Sequence, residues 1–137
     1  MLSDEQIVAF KRDGYVTGGL ALDDGEVEEL RDELARVIND DGKEEVRQPV
    51  LLRNLSRDDD HTVWQIVNIW EASGAYKSLT RNEKIVEEIA QLTGASVLKV
   101  WHDQIQYKPS ETGGVNMWHQ DAPLWPIILP MTEVSAW

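Results

Sequence analysis

The apolar residues of this chain repeat at two different periods, and the change falls near Arg47. Before it, Ile7 and Phe10, then Val27, Leu30, Leu34, Val37 and Ile38, recur at helical spacing. After it, runs rich in β-branched and aromatic residues take over, above all Val63–Trp70 and Val97–Tyr107. Helices first and strands later, with one helix between them, is not the alternation that builds a parallel α/β sheet. It predicts an α+β or helix-decorated β fold. The 137 residues are expected to form a single domain, 1–137, with a helical start over 1–45 and a β-rich core over 46–137 that holds one helix near 81–93.

Local signals set the expected boundaries. Ser3-Asp4-Glu5-Gln6 is a capping box, and Gly14 closes the helix it opens. Tyr15-Val16-Thr17 is expected as a short strand, broken by Gly18-Gly19. A second helix starts near Asp23 or Asp24, its acidic first turn suiting the helix dipole. Pro49–Leu52 is an extended run, Arg57-Asp58-Asp59-Asp60 a polar turn, and His61 a surface residue. Thr80-Arg81-Asn82-Glu83 reads as a capping box for the third helix, which Thr93-Gly94 stops. On Val63–Trp70, Val63, Gln65, Val67 and Ile69 share one face, so Gln65 and Asn68 are polar groups in need of partners. On Val97–Tyr107 one face passes from Leu98 and Val100 to His102, Gln104 and Gln106, as a pocket-lining strand does.

Charge and cysteine content remove several function classes. The formal net charge is −12 and no Lys/Arg cluster occurs, so a nucleic-acid partner is not expected. With no Cys there are neither disulfides nor thiolate metal sites. No apolar run approaches transmembrane length and the N-terminus lacks a signal-peptide pattern, so no membrane contact and a cytoplasmic location are expected. Tryptophan is dense for this length, with six in all, and Trp101, Trp118, Trp125 and Trp137 crowd the C-terminal part. That density suits a substrate cleft.

Within that aromatic region lies Trp118-His119-Gln120-Asp121. On an extended segment His119 and Asp121 point the same way while Gln120 points opposite. An imidazole and a carboxylate side by side make two thirds of the facial ligand set of non-haem Fe(II) oxygenases. An H-x-D tripeptide is also what a His bonded to its neighbouring Asp at a strand end looks like, and the residues alone leave both readings open.

Taken together and in order, the motifs resemble the phytanoyl-CoA dioxygenase family of Fe(II)- and 2-oxoglutarate-dependent oxygenases. Leu2–Gln6 with Phe10–Val16 is similar to that family's opening helix and first strand. Val97–Gln104, Lys108-Pro109 and Trp118–Asp121 are similar to its central signature, and Val134–Trp137 to the start of a further core strand. The resemblance implies that His119 and Asp121 are iron ligands, that Gln104 lines the 2-oxoglutarate site and Gln65 another position there, and that Trp125 borders the substrate cleft. It implies part of a double-stranded β-helix, a cupin-like jelly-roll barrel behind N-terminal helices, incomplete in this chain. It also implies Fe(II) as cofactor, 2-oxoglutarate and O2 as co-substrates, and hydroxylation of a small molecule with succinate and CO2 as co-products.

In that family the second His ligand and the Arg that pairs with 2-oxoglutarate lie beyond the position matching Trp137. The chain is therefore expected to be the N-terminal half of such an oxygenase, its barrel completed by a C-terminal half or a partner chain. The alternative expectation is a truncated, inactive jelly-roll module that acts by binding or assembly.

Overall fold

The computed structural model describes residues 1–56, 62–110, 118–125 and 132–137. The polar turn expected at Arg57–Asp60, His61, the glycines at 113 and 114, and the approach to Trp118 lie outside the described residues. The elements in chain order are α1 (Asp4–Asp13), α2 (Asp24–Asn39), β1 (Leu51–Asn54), β2 (Trp64–Val67), a 3-10 turn (Ile69–Glu71), α3 (Gly74–Leu79), α4 (Glu83–Thr93), β3 (Gln104–Tyr107) and a second 3-10 turn (Ala122–Leu124). The architecture is α+β, with helices and a three-stranded antiparallel sheet in the order β1-β2-β3. The sheet is open, and the described residues do not form the expected jelly-roll barrel. No helix among them is long and apolar enough to cross a membrane.

Contacts divide the chain into two compact units, Met1–Ala21 with Glu83–Leu98 and Asn116–Trp137, and Leu22–Asn82 with Lys99–Val115. In the first, α1 starts as the sequence predicts. Ser3 Oγ accepts from the Gln6 backbone N–H and Gln6 Oε1 accepts from the Ser3 N–H, which satisfies two of the donors a helix start leaves open. Gly14 ends it at φ 81°, a left-handed conformation that only glycine adopts without cost, and its N–H returns to the Phe10 carbonyl. The predicted strand at Tyr15–Thr17 does not form. The Thr17 carbonyl is taken by the Gln6 side chain instead. α4 packs on α1, and Gln91 ties the N-terminus down by accepting from the Leu2 N–H at 2.8 Å.

The second unit holds the larger core. Val37, Ile66, Ile69 and Tyr76 are buried together, with Leu30, Leu34, Leu52, Trp64 and Ile105 packed around them. α2 contributes its apolar stripe and is capped by a reciprocal Asp23–Glu26 box. The sheet contributes the row Leu52–Ile66–Ile105, whose members face one another in register. Asn68 then stops β2, against the expectation of a strand running to Trp70. It takes φ 55° and ψ 50°, the left-handed region that Asn tolerates better than most residues. One residue out of strand geometry breaks the alternation of faces. Ile69 therefore enters the core with Ile66, and both are fully buried, whereas an unbroken strand would have set Ile69 on the Gln65 face.

Other elements differ from expectation. α3 was not foreseen, being six residues long and too short to show a period. Ser73 caps it, accepting from the Tyr76 N–H while donating to Glu33 Oε2 at 2.6 Å. Thr80, expected to open the next helix, instead donates its hydroxyl to the Lys77 carbonyl at the end of α3. The strand expected over Val97–Tyr107 is confined to Gln104–Tyr107, and β1 lies two residues later than the Pro49–Leu52 run. Val134–Trp137 forms no strand ladder with the described residues.

Candidate functional site

His119 and Asp121 lie in the first unit, on a segment without ladder partners among the described residues. Directly after them the chain turns through Ala122–Leu124, and the Leu124 N–H donates to the Asp121 carbonyl at 2.8 Å. Pro123 suits that turn because its φ is already fixed near the helical value. The two side chains meet as alternation predicts, with His119 Nε2 3.4 Å from Asp121 Oδ1. Both remain open to solvent, the imidazole half exposed and the carboxylate about a third. Trp118 is fully exposed and Trp125 partly buried.

The donor pair fits a metal ion. Donors 3.4 Å apart can each reach one ion at about 2.1 Å, subtending roughly 110° there. A neutral imidazole and a carboxylate are the N and O donors that suit Fe(II). Among the described residues no group of three or more His, Cys, Asp and Glu side chains is arranged to hold a metal. His102, in the second unit, has Nδ1 3.2 Å from the Asp103 carbonyl oxygen and its ring edge-on to Trp101.

The second unit brings the two predicted glutamines together. Gln65 stands opposite Arg53 on one side and Gln106 on the other, while Gln104 faces Val67 and is the diagonal neighbour of Gln65. Gln65 Nε2 donates to Gln104 Oε1 at 3.4 Å, and Gln65 Oε1 accepts from Arg53 Nε at 2.8 Å. These side chains occupy the sheet face opposite the Leu52–Ile66–Ile105 row. Arg53 was not singled out from the sequence, because its place in this row depends on the β1–β2 register. A concavity of about 180 Å³ elsewhere on the same unit, lined in part by Arg47, Trp70, Ser73 and Lys77, includes none of the predicted site residues.

Where β2 ends and β3 begins lies a polar corner. The Asn68 N–H donates to the Asp103 carbonyl at 3.0 Å, and burial pushes the Asp103 carboxyl up, against the opposing pull of the Trp70 and Ile69 backbone N–H groups. Among the described residues, Asp103 Oδ1, Asn68 Oδ1 and Trp70 Nε1 are buried without a hydrogen-bond partner. Tyr76 donates to the Leu30 carbonyl at 3.0 Å, and burial, then the charges of Asp103 and Glu33, push its hydroxyl up to about 12. The Asn68–Asp103 hydrogen bond lies just past the Val67–Gln104 pair, at one end of the sheet that carries Gln65 and Gln104.

The family model described as phytanoyl-CoA dioxygenase (PhyH) matches residues 10–137. No curated protein and no solved structure matches the chain. The match takes in nearly every element described above, from the middle of α1 to the last residue, including the His119–Asp121 pair and the Gln65–Gln104 row. The chain belongs to the phytanoyl-CoA dioxygenase family.

Proposed function

We propose that this protein is an Fe(II)- and 2-oxoglutarate-dependent dioxygenase that hydroxylates a small-molecule substrate. The observation that carries this reading is the His119–Asp121 pair, its donor atoms 3.4 Å apart, in a chain of a family whose chemistry needs that ligand set. In this reading His119 Nε2 and one Asp121 carboxylate oxygen hold the iron, and the turn fixed by the Leu124–Asp121 hydrogen bond keeps the carboxylate beside the imidazole. The metal, when bound, supplies the site at which O2 and 2-oxoglutarate react, with succinate, CO2 and a hydroxylated carbon as products.

The remaining assignments follow from what each side chain can do. Gln104 and Gln65 are neutral donors and acceptors on a sheet face, suited to orienting the carboxylates of the co-substrate. Trp125, four residues after Asp121, has an apolar ring and an indole donor, which suits a wall of the substrate cleft. The sheet is in this reading one part of a jelly-roll barrel, and a cytoplasmic setting suits the co-substrate.

The test is succinate formation from 2-oxoglutarate by purified protein with Fe(II) and O2. Turnover that disappears in both His119→Ala and Asp121→Ala supports the reading. Equal turnover in wild type and both variants would remove these residues from the iron site.

A further inference from the structure

Building on the assignment of Gln104 to the co-substrate, we propose that Arg53 is a positioning residue: acting through Gln65, it orients the Gln104 amide so that its N–H donors face 2-oxoglutarate. The argument rests on hydrogen-bond polarity. A guanidinium has five N–H donors and no acceptor. The Gln65 atom 2.8 Å from Arg53 Nε must therefore be its oxygen. With that end fixed, the Gln65 atom facing Gln104 is the NH2 group, and the Gln104 atom that receives it at 3.4 Å must be an oxygen. The Gln104 NH2 is then left turned away from Gln65, with N–H groups for an incoming oxygen ligand.

An isolated glutamine has no such preference, since its two ends are nearly equal in shape and turn over freely. An amide offering its oxygen to a carboxylate would repel it. The same amide offering N–H attracts it, and a donor aimed in advance binds more tightly than one that must be ordered on binding. The relay runs across three strands whose register sets Arg53 opposite Gln65 and Gln104 on its diagonal. It uses only the polar face, so the core beneath is not part of it.

Substitutions at Arg53 separate polarity from mere contact. Lys is also donor-only and keeps the polarity. Met keeps much of the stem but sets no polarity. Glu is acceptor-only and reverses the chain of amides, turning the Gln104 oxygen outward.

Two readouts test the relay. The first, on ligand-free protein, is the side-chain NH2 signals of Gln65 and Gln104 by NMR. Both are expected to move in Arg53→Met and to stay close to wild type in Arg53→Lys. The second is the 2-oxoglutarate dissociation constant of the Fe(II)-loaded protein, by calorimetry without O2. It is expected to rise at most about threefold in Arg53→Lys, about tenfold in Arg53→Met and more in Arg53→Glu. In a Gln104→Leu background Arg53→Met is expected to add nothing, because the receiving amide is gone.

A Gln104 signal unmoved by Arg53→Met, or an equal loss of binding with and without Gln104, overturns the relay. If Gln104→Leu weakens 2-oxoglutarate binding while Arg53→Met does not, the relay fails and the functional reading stands. If Gln104→Leu itself leaves binding unchanged, the relay and the assignment of Gln104 to the co-substrate fail together, while the iron assignment of His119 and Asp121 stands or falls by its own test.

Discussion

The two compact units keep their site residues in opposite ways. The unit with the sheet sets Gln65 and Gln104 over a core in which Ile66 and Ile69 are fully buried and Val37 nearly so. The unit with His119 and Asp121 has, among the described residues, Leu2 as its buried apolar residue and relies on polar ties such as Gln91 to Leu2 and Gln6 to Thr17. The glutamines are placed by long-range register. His119 and Asp121 are placed by their own backbone, two residues apart just before the Ala122–Leu124 turn. A position dictated by neighbours two residues away needs little core beneath it, whereas a cross-strand row depends on everything that fixes the register.

The largest effect should therefore come from the core under the sheet. Ile66→Ala should destabilise the protein by about 2–5 kcal/mol in denaturant titration, through lost burial and a residual cavity. Leu2→Ala should cost under about 2 kcal/mol, since a chain end can close the gap. Equal losses would erase the contrast between the units. His119→Ala and Asp121→Ala should change stability by less than about 0.5 kcal/mol while removing metal binding.

Titration sharpens the comparison within the sheet unit, because two of its carboxyls act with opposite sign. Hydrogen bonds from Arg36, then Ser73, hold Glu33 down to about 2. Its folded value lies below the unfolded one, so its contribution is present above the ordinary carboxylate range and is lost as pH falls toward 2. Glu33→Gln should lower stability at pH 7 by about 1–2 kcal/mol, the ion pair being partly open to water, and should flatten the acid limb. Asp103 is raised by burial, so its folded value lies above the unfolded one and stability is lost as pH rises through that interval. Asp103→Asn should be at least as stable as wild type at pH 7 and should lack that loss. A wild-type profile without opposing limbs would contradict both assignments.

A smaller loss than in the core is expected at the start of the thinner unit. Ser3→Ala removes a capping bond that is wholly local and should cost about 1 kcal/mol of thermal stability.

What the sequence disclosed divides along the same line. The Ser3 cap, the start of the second helix near Asp23 or Asp24, the Gly14 stop and the facing of His119 and Asp121 were legible because each depends on residues a few positions apart. Gln104 and Gln106 were legible as one face for the same reason. α3 escaped notice because six residues show no period and its cap, Ser73, is anchored by Glu33 forty positions away. The break at Asn68 was hidden inside a run of good strand formers, where propensity argues for continuation and the core's demand for Ile69 overrides it. Arg53 was illegible because nothing near it in the chain says that it stands opposite Gln65.

The central claim, an Fe(II)- and 2-oxoglutarate-dependent oxygenase with His119 and Asp121 as iron ligands, is tested most directly by titrating 2-oxoglutarate into the protein without O2, with and without Fe(II). The account predicts binding that depends on the metal and is lost in both His119→Ala and Asp121→Ala. Binding that ignores the metal, or that survives both substitutions, would contradict it.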